Sequence, residues 1–326
     1  MKAASALVSL LAGLALLAAS PPAGAQAYPS KPVKMLVGFP PGGGTDILAR
    51  LLARKLSETW GQTIVVENRP GASATIASDM VAKSAADGYT ISMGQLTPNA
   101  IAPALIARMP YDAKRDLVPV VLVGTSPNVL VTRPDLGAAN VAELIALVKS
   151  RPRGLTYASS GSGSLQHIAA ELFRVTAGVE LVHVPYKGSG QAVVDLLSGQ
   201  VDMNFDSIPA VIQHVKAGKL RPIAVTAARR ASGLPELPAI AESPGFADYD
   251  LTTWWGLFTP AGTPEAIVAK INRDTGAALR DPELRARFAD LSVEPGGGTP
   301  QEFGAYVARE MVKYEQLVKT LNIKAE

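Results

Sequence analysis

From Pro32 onward, short β-type runs and helical stretches alternate along the chain, and few folds accommodate that alternation. Val33–Val37 reads as a strand, and Ile47, Leu48, Leu51, Leu52 and Leu56 recur at helical spacing behind it. Strands at Thr63–Glu67, Thr90–Met93 and Leu117–Val123 continue this first series, with helices over Ala72–Ala82 and Ala100–Arg108. A second series places strands at Val129–Thr132, Leu155–Ser159, Leu181–Val184, Val201–Phe205 and Arg221–Thr226. Its helices are Val141–Lys149, Leu165–Thr176, Gly190–Leu197 and Ile208–Ala217. Such alternation predicts an α/β fold built on mainly parallel sheets flanked by helices. The last third differs: Arg229–Gly245 reads as loop, Thr252–Thr259 as strand, Pro264–Arg280 and Gln301–Leu321 as helices. Two lobes follow, residues 28–123 plus 227–326 and residues 124–226, hinged at Leu117–Val123 and Arg221–Thr226.

Residues 1–27 stand apart from this pattern. Lys2, the apolar segment Ala6–Ala19 and the small-x-small site Ala25-Gln26-Ala27 form a secretory signal, too short to span a bilayer comfortably. Cleavage after Ala27 leaves Tyr28 first, and the absence of any cysteine excludes lipid attachment at one. An exported chain without disulfides must rely on its hydrophobic core, and this one is long enough for two. With Lys2 removed, 30 basic residues face 28 acidic ones. Their scatter, rarely interleaved with aromatics, gives a nucleic-acid role no footing.

Two turns carry the functional signal. In Gly38–Arg50 (GFPPGGGTDILAR), Pro40 and Pro41 stop the strand and three glycines let the backbone turn before a helix capped by Thr45 or Asp46. The stretch is neither a Walker loop nor a G-x-G-x-x-G fingerprint. It is either a plain turn or a cradle of unpaired N–H groups backed by a helix dipole. Tyr157–His167 (YASSGSGSLQH) has the same grammar, with Ser160, Ser162 or Ser164 available as cap. One helix terminus contributes on the order of 0.3–2 kcal/mol to a nearby anion. Burying a carboxylate costs several kcal/mol unless its oxygens are hydrogen-bonded. Two facing turns therefore make a better carboxylate site than one, and the carboxyl ends of strands are where open α/β sheets bind ligands.

The succession VGFPPGGGTD, IVVENRPGA, DGYT, SSGSGSLQH, VPYKGSG, SGQVDMNFD and WWGLFTPAGTP resembles the TctC-type substrate-binding proteins of tripartite tricarboxylate transporters, also called Bug-type receptors. The likeness spans essentially the whole mature chain. It implies a two-lobed periplasmic binding protein fold (type II-like) closing on a small organic acid, then docking to membrane carrier subunits as a monomer. It also implies contact with the ligand carboxylate from Phe39, Gly42, Gly43, Gly44, Thr45 and Asp46 in one loop. Ser159, Ser160, Gly161, Ser162, Gly163 and Ser164 are the matching positions of the other. Asp206 matches a cleft-facing aspartate, or else simply caps the helix at Ile208.

The remaining candidates are weaker. Thr97 ends a strand and offers a hydroxyl; His167 either lines the cleft or is structural. His167, His183 and His214 share no metal-ligand spacing, so neither metal nor cofactor is expected. Tyr186 and Lys187 end a strand where a phenol or ammonium can meet an anion or merely water. Trp254 and Trp255 point to opposite faces, one to the core and one toward the cleft. A hydrolase would need a G-x-S-x-G elbow, which is absent, or Asp46 and Asp206 as a paired acid and base. No catalytic constellation assembles, so the expectation is a non-enzyme. A receptor that signals to a membrane sensor has the same sequence features.

Overall fold

The computed structural model describes residues 28–324, and the expected leader at 1–27 lies outside them. In chain order the regular elements of the first half of the fold are β1 (Val33–Val37), α1 (Gly44–Trp60), β2 (Ile64–Asn68), α2 (Thr75–Ala82), β3 (Thr90–Gln95) and α3 (Ala102–Leu105). The strand β4 (Leu117–Thr132) leads into α4 (Val141–Lys149), β5 (Leu155–Ser159), α5 (Leu165–Ala177), β6 (Leu181–Pro185) and α6 (Ser189–Leu197). Then come β7 (Met203–Ser207), α7 (Ile208–Lys216), β8 (Arg221–Val225), β9 (Thr252–Pro260), α8 (Glu265–Arg280), α9 (Pro282–Asp290), β10 (Glu294–Gly297) and α10 (Pro300–Thr320).

The strands run in the order β2-β1-β3-β9-β4-β7-β5-β6, with β8 and β10 also paired to β4. Parallel pairing holds in β2-β1-β3 and β7-β5-β6, where each strand feeds a helix. The strands joining these two groups, β9 and β4, pair antiparallel with their neighbours. Two expected strands, Leu117–Val123 and Val129–Thr132, are one strand of 16 residues. Its Leu117–Pro127 portion pairs with β9, and its Asn128–Thr132 portion pairs with β7. Passage between the two groups therefore falls at Pro127–Asn128, not within Leu117–Val123. Ser126-Pro127-Asn128 looks like a break because proline cannot donate to a ladder. Pro127 instead sits opposite Thr252, the first residue of β9, and Pro119 sits where the register shifts.

One apolar cluster runs through both strand groups, from Leu36 and Val81 to Leu155 and Phe173. On α1, Leu48, Leu52 and Leu56 are fully buried beneath β1, whose Val33, Met35 and Val37 are likewise inaccessible. Asn128 ties the halves together: its side chain donates to the Phe205 carbonyl at 2.7 Å and accepts from the Thr253 hydroxyl at 2.8 Å. The return crossing is knitted by Thr226, whose hydroxyl accepts from the Asn128 N–H and bonds the Leu251 carbonyl.

The segment expected as helix from Ala72 begins otherwise. Ala72, Ser73 and Ala74 have φ of 46°, 54° and 68°, the left-handed region, and only from Thr75 is the helix right-handed. Side-chain bulk ordinarily disfavours such a run. Here Ala74 packs where a Cβ on Gly38 would stand, 2.5 Å away, and the Thr75 hydroxyl bonds the Ala72 carbonyl at 2.7 Å. Two further elements, α9 and β10, lay unread in the sequence, since Glu294–Gly297 has no β-type pattern.

Candidate functional site

A cleft between the two strand groups is bordered by the starts of four helices. Gly43, Gly44 and Thr45 come from α1, Ser164, Leu165 and Gln166 from α5, Ser189 from α6, and Ser207 from the residue before α7. Gln95, Thr97, Asn128, Thr253 and Trp255 complete its floor, with Phe39 and Ser160 at its rim. No lysine or arginine among the described residues lines it. A negative group placed here meets helix dipoles and neutral donors rather than a cation.

The first loop works differently from the expectation. The N-cap of α1 is Gly43, without any side-chain cap; neither Thr45 nor Asp46 takes that place. The Thr45 hydroxyl accepts from Trp255 Nε1 at 3.0 Å, which fixes Trp255 toward the cleft, while Trp254 packs edge-on against Phe303 in the core. Asp46 does not line the cleft. It sits behind the loop and accepts from the Gly42 N–H at 3.0 Å, Arg50 Nε at 3.0 Å and Asn68 Nδ2 at 2.9 Å. Asn68 also donates to the Phe39 carbonyl. Burial alone would raise the Asp46 pKa, but the bonds from Arg50, Asn68 and Gly42 prevail and hold it below the ordinary carboxylate value. Gly42, with φ of 83°, is thereby committed to the loop's shape. The N–H groups of Gly43, Gly44 and Thr45 keep no acceptor among the described residues.

In the second loop the expected amide donors are mostly consumed. The Ser160 N–H donates to Gln166 Oε1, the Gly161 N–H to Ser159 Oγ at 3.1 Å, and the Gly163 N–H to His167 Nδ1 at 3.0 Å. Ser164 is the cap of α5, accepting from the His167 N–H. Ser159, Gly163 and His167 therefore brace the loop rather than line the inner cleft, and Gly161 and Ser162 border a second, outer chamber. Free donors on this side are the Leu165 and Gln166 N–H groups at the first turn of α5 and the hydroxyls around them. Ser159 Oγ also lies 2.6 Å from His183 Nε2, and His183 stacks on His167 at 4.1 Å between ring centres. Burial and the neighbouring His167 push the His183 pKa down to about 4.

Asp206 does face the cleft, and Ser207, not Asp206, precedes α7 as its cap. Its carboxyl is completely buried and accepts from Ser189 Oγ at 2.6 Å, the Ser207 N–H at 2.7 Å and Asn204 Nδ2 at 2.9 Å. No cation pairs with it among the described residues, and burial drives its pKa upward despite these bonds. Sequence reasoning missed Gln95, Asn128, Gln166, Ser189, Ser207 and Thr253. Ser189 and Ser207 carried a usable signal, since Gly188-Ser189 and Ser207-Ile208-Pro209 repeat the pattern of strand end, small residue and helix start.

The halves touch across the cleft. The Ser73 hydroxyl donates to the Ser162 carbonyl at 3.0 Å. A Cβ on Gly44 would lie 2.6 Å from Ser207 Oγ, on Gly163 2.2 Å from Leu105 Cδ1, and on Gly188 2.5 Å from Pro40 Cδ. Residues without side chains thus stand at three of the closest approaches.

Residues 48–323 match the family described as tripartite tricarboxylate transporter family receptor. The chain belongs to that family. Protein BugT of Bordetella pertussis is 39% identical over 304 residues, covering 93% of each chain. The solved structure of R. palustris Rpa4515 with adipate superposes with a TM-score of 0.89 at 39% identity, over 92% of this chain and 100% of that one. MatC from Rhodopseudomonas palustris with bound malate gives a TM-score of 0.84 at 32% identity, over 89% and 100%. The fold is that of the two-lobed periplasmic binding proteins, and the family is one of receptors.

Proposed function

We propose that this receptor captures a small carboxylate-bearing metabolite in the inner cleft and delivers it to the membrane carrier subunits of a tripartite transporter. The observation that carries this reading is the meeting of the α1 and α5 first turns, each with N–H groups unpaired among the described residues, in a cleft that no described cation lines. A carboxylate bridging the two turns would receive donors from both, which is what its burial requires. The adipate and malate held by the two relatives are acids of this kind.

In this reading the protein acts as a monomer in the periplasm after loss of residues 1–27. Residues 28–127 with 227–324 form one lobe and residues 128–226 the other, and they bend at Pro127–Asn128 and around Thr226. Gly43, Gly44, Thr45, Thr97, Ser160, Ser164 and Asp206 meet the ligand, whereas Gly42, Asp46, Ser159, Gly163 and His167 hold the loops that do.

A thermal-shift panel pairing each organic acid with its uncharged primary amide tests the reading. Stabilisation by at least one acid and by none of the amides is expected. A panel in which the amides stabilise as well as the acids would remove the anion from the account.

A further inference from the structure

The inner cleft is small, ≈ 40 Å³ of free space. That is far below the roughly 150 Å³ of a cavity that takes up benzene, so the cleft suits a carboxyl group rather than a whole metabolite. The rest of a ligand would extend into the outer chamber of ≈ 850 Å³, which shares Phe39 and Ser160 with the inner one. Its walls are largely apolar: Ala72, Ala74, Ala102, Leu105, Ile106 and Pro185. Hydration of a hydroxylated chain would be lost there without replacement, whereas a methylene chain or aromatic ring gains by burial.

Among the described residues one cation reaches either chamber, Lys187. The two polar side chains beside it are already engaged: Tyr186 Oη donates to Asp195 Oδ2 at 2.7 Å and Gln191 Nε2 to Asp195 Oδ1 at 2.9 Å. The Lys187 ammonium has no partner among the described residues. Its loop is nevertheless fixed on both sides. The Tyr186 N–H bonds the Ser159 carbonyl at 3.0 Å, and Gly188 lies against Pro40. Two residues on, Ser189 reaches the inner cleft.

We infer that Lys187 is the specificity-determining residue of this receptor: it selects apolar-bodied acids bearing a second anionic group at the far end. The inference rests on the inner cleft being the carboxylate site. One ligand then touches the helix starts with its first carboxylate, fills the apolar chamber with its body and pairs its distal anion with the ammonium.

Isothermal titration of matched acids with the full mature chain tests it: hexanoate against adipate, and benzoate against terephthalate. The wild type is expected to bind the dianion of at least one pair about five- to tenfold more tightly, as suits one partly exposed charged pair. Added salt should narrow that gap. Lys187→Gln should bring the two acids of the pair together while leaving the monoanion's affinity unchanged, and Lys187→Glu should favour the monoanion. Lys187 is exposed, so thermal midpoints without ligand should stay at the wild-type value. A dianion preference that survives in Lys187→Gln, or monoanions bound as tightly as dianions by the wild type, would overturn the role of Lys187 and leave the carboxylate reading intact. Failure of all four acids together with the whole acid panel would overturn both.

Discussion

The two turns that face each other across the cleft have the same plan and different braces. Behind the first stands a charge: Asp46 gathers Gly42, Arg50 and Asn68 around one carboxylate. Behind the second stand neutral groups, Gln166 Oε1, His167 Nδ1 and Ser159 Oγ, each taking one loop N–H. The consequence is a division of labour. The first loop leaves the amides of Gly43, Gly44 and Thr45 open, whereas the second spends its own amides on shape and offers hydroxyls and the α5 first turn. An internal carboxylate can hold a loop next to an anion site only if its charge is neutralised behind the loop, and the Arg50 guanidinium, 2.9 Å from Asp46 Oδ1, does that.

The comparison breaks most visibly if the braces are removed. Asp46→Ala strands the Gly42 N–H and takes away the carboxylate that Arg50 and Asn68 share, leaving these two bonded only to each other and to the Phe39 carbonyl, and should cost about 2–4 kcal/mol of unfolding free energy in urea titrations. Gln166→Ala removes a neutral brace and should cost about 1–2 kcal/mol. Equal losses would mean that the charge contributes nothing special to the first loop.

A smaller effect, on binding rather than folding, separates the two glycines at the start of α1. A side chain on Gly44 would drive into Ser207, while one on Gly43 meets nothing nearer than 3.7 Å. Gly44→Val should weaken the best acid by about tenfold or more, within the range of overpacking penalties. Gly43→Ala should change it little. Gly161, with φ of 112°, is strained by any side chain whatever the space around it, so a loss there would report backbone strain.

Asp46 and Asp206, both buried, sharpen the contrast through pH. The Asp46 pKa lies below its ordinary value, so its contribution to stability is present at neutral pH and lost as the pH falls through the acid range. The Asp206 pKa lies above its ordinary value of 3.8. Its contribution is complete below that value and is lost as the pH rises through the shifted one. A bound carboxylate beside Asp206 favours the protonated form further, so affinity should tighten as the pH is lowered toward the acid range. Titrations across pH should show that slope in the wild type and flatten it in Asp206→Asn. A slope unchanged by the substitution would take Asp206 out of the proton balance.

The smallest expected effect belongs to His183. With its pKa moved from 6.5 to about 4, the ring stays neutral in the fold. The stability this provides is full above about pH 6.5 and declines as the pH falls toward 4. Thermal midpoints of His183→Gln should fall less than those of the wild type across that window, and parallel curves would argue against it.

Much of the plan was legible from the sequence because it rests on local rules. Pro40-Pro41 and the three glycines announce a strand-to-helix turn, and Ser159–Ser164 announce a second. Which atoms of those turns stay free is not a local property. It depends on Asn68, arriving from β2, and on His167 and Gln166, one turn into α5. Asn128 and Thr253 were invisible for the same reason: they enter the cleft only because β4 passes from one group of strands to the other at Pro127. Asp206 read equally well as cap or cleft residue, since only topology puts it against Ser189.

The claim underlying all of this is that one carboxylate is shared by donors at the starts of α1 and α5. A crystal structure grown with the best acid of the panel measures it directly. The account predicts carboxylate oxygens about 2.7–3.2 Å from an N–H of Gly43, Gly44 or Thr45 and from a donor within Ser160–Gln166, directly or through one water. An acid held by only one of the two turns, or seated outside the cleft, would contradict it.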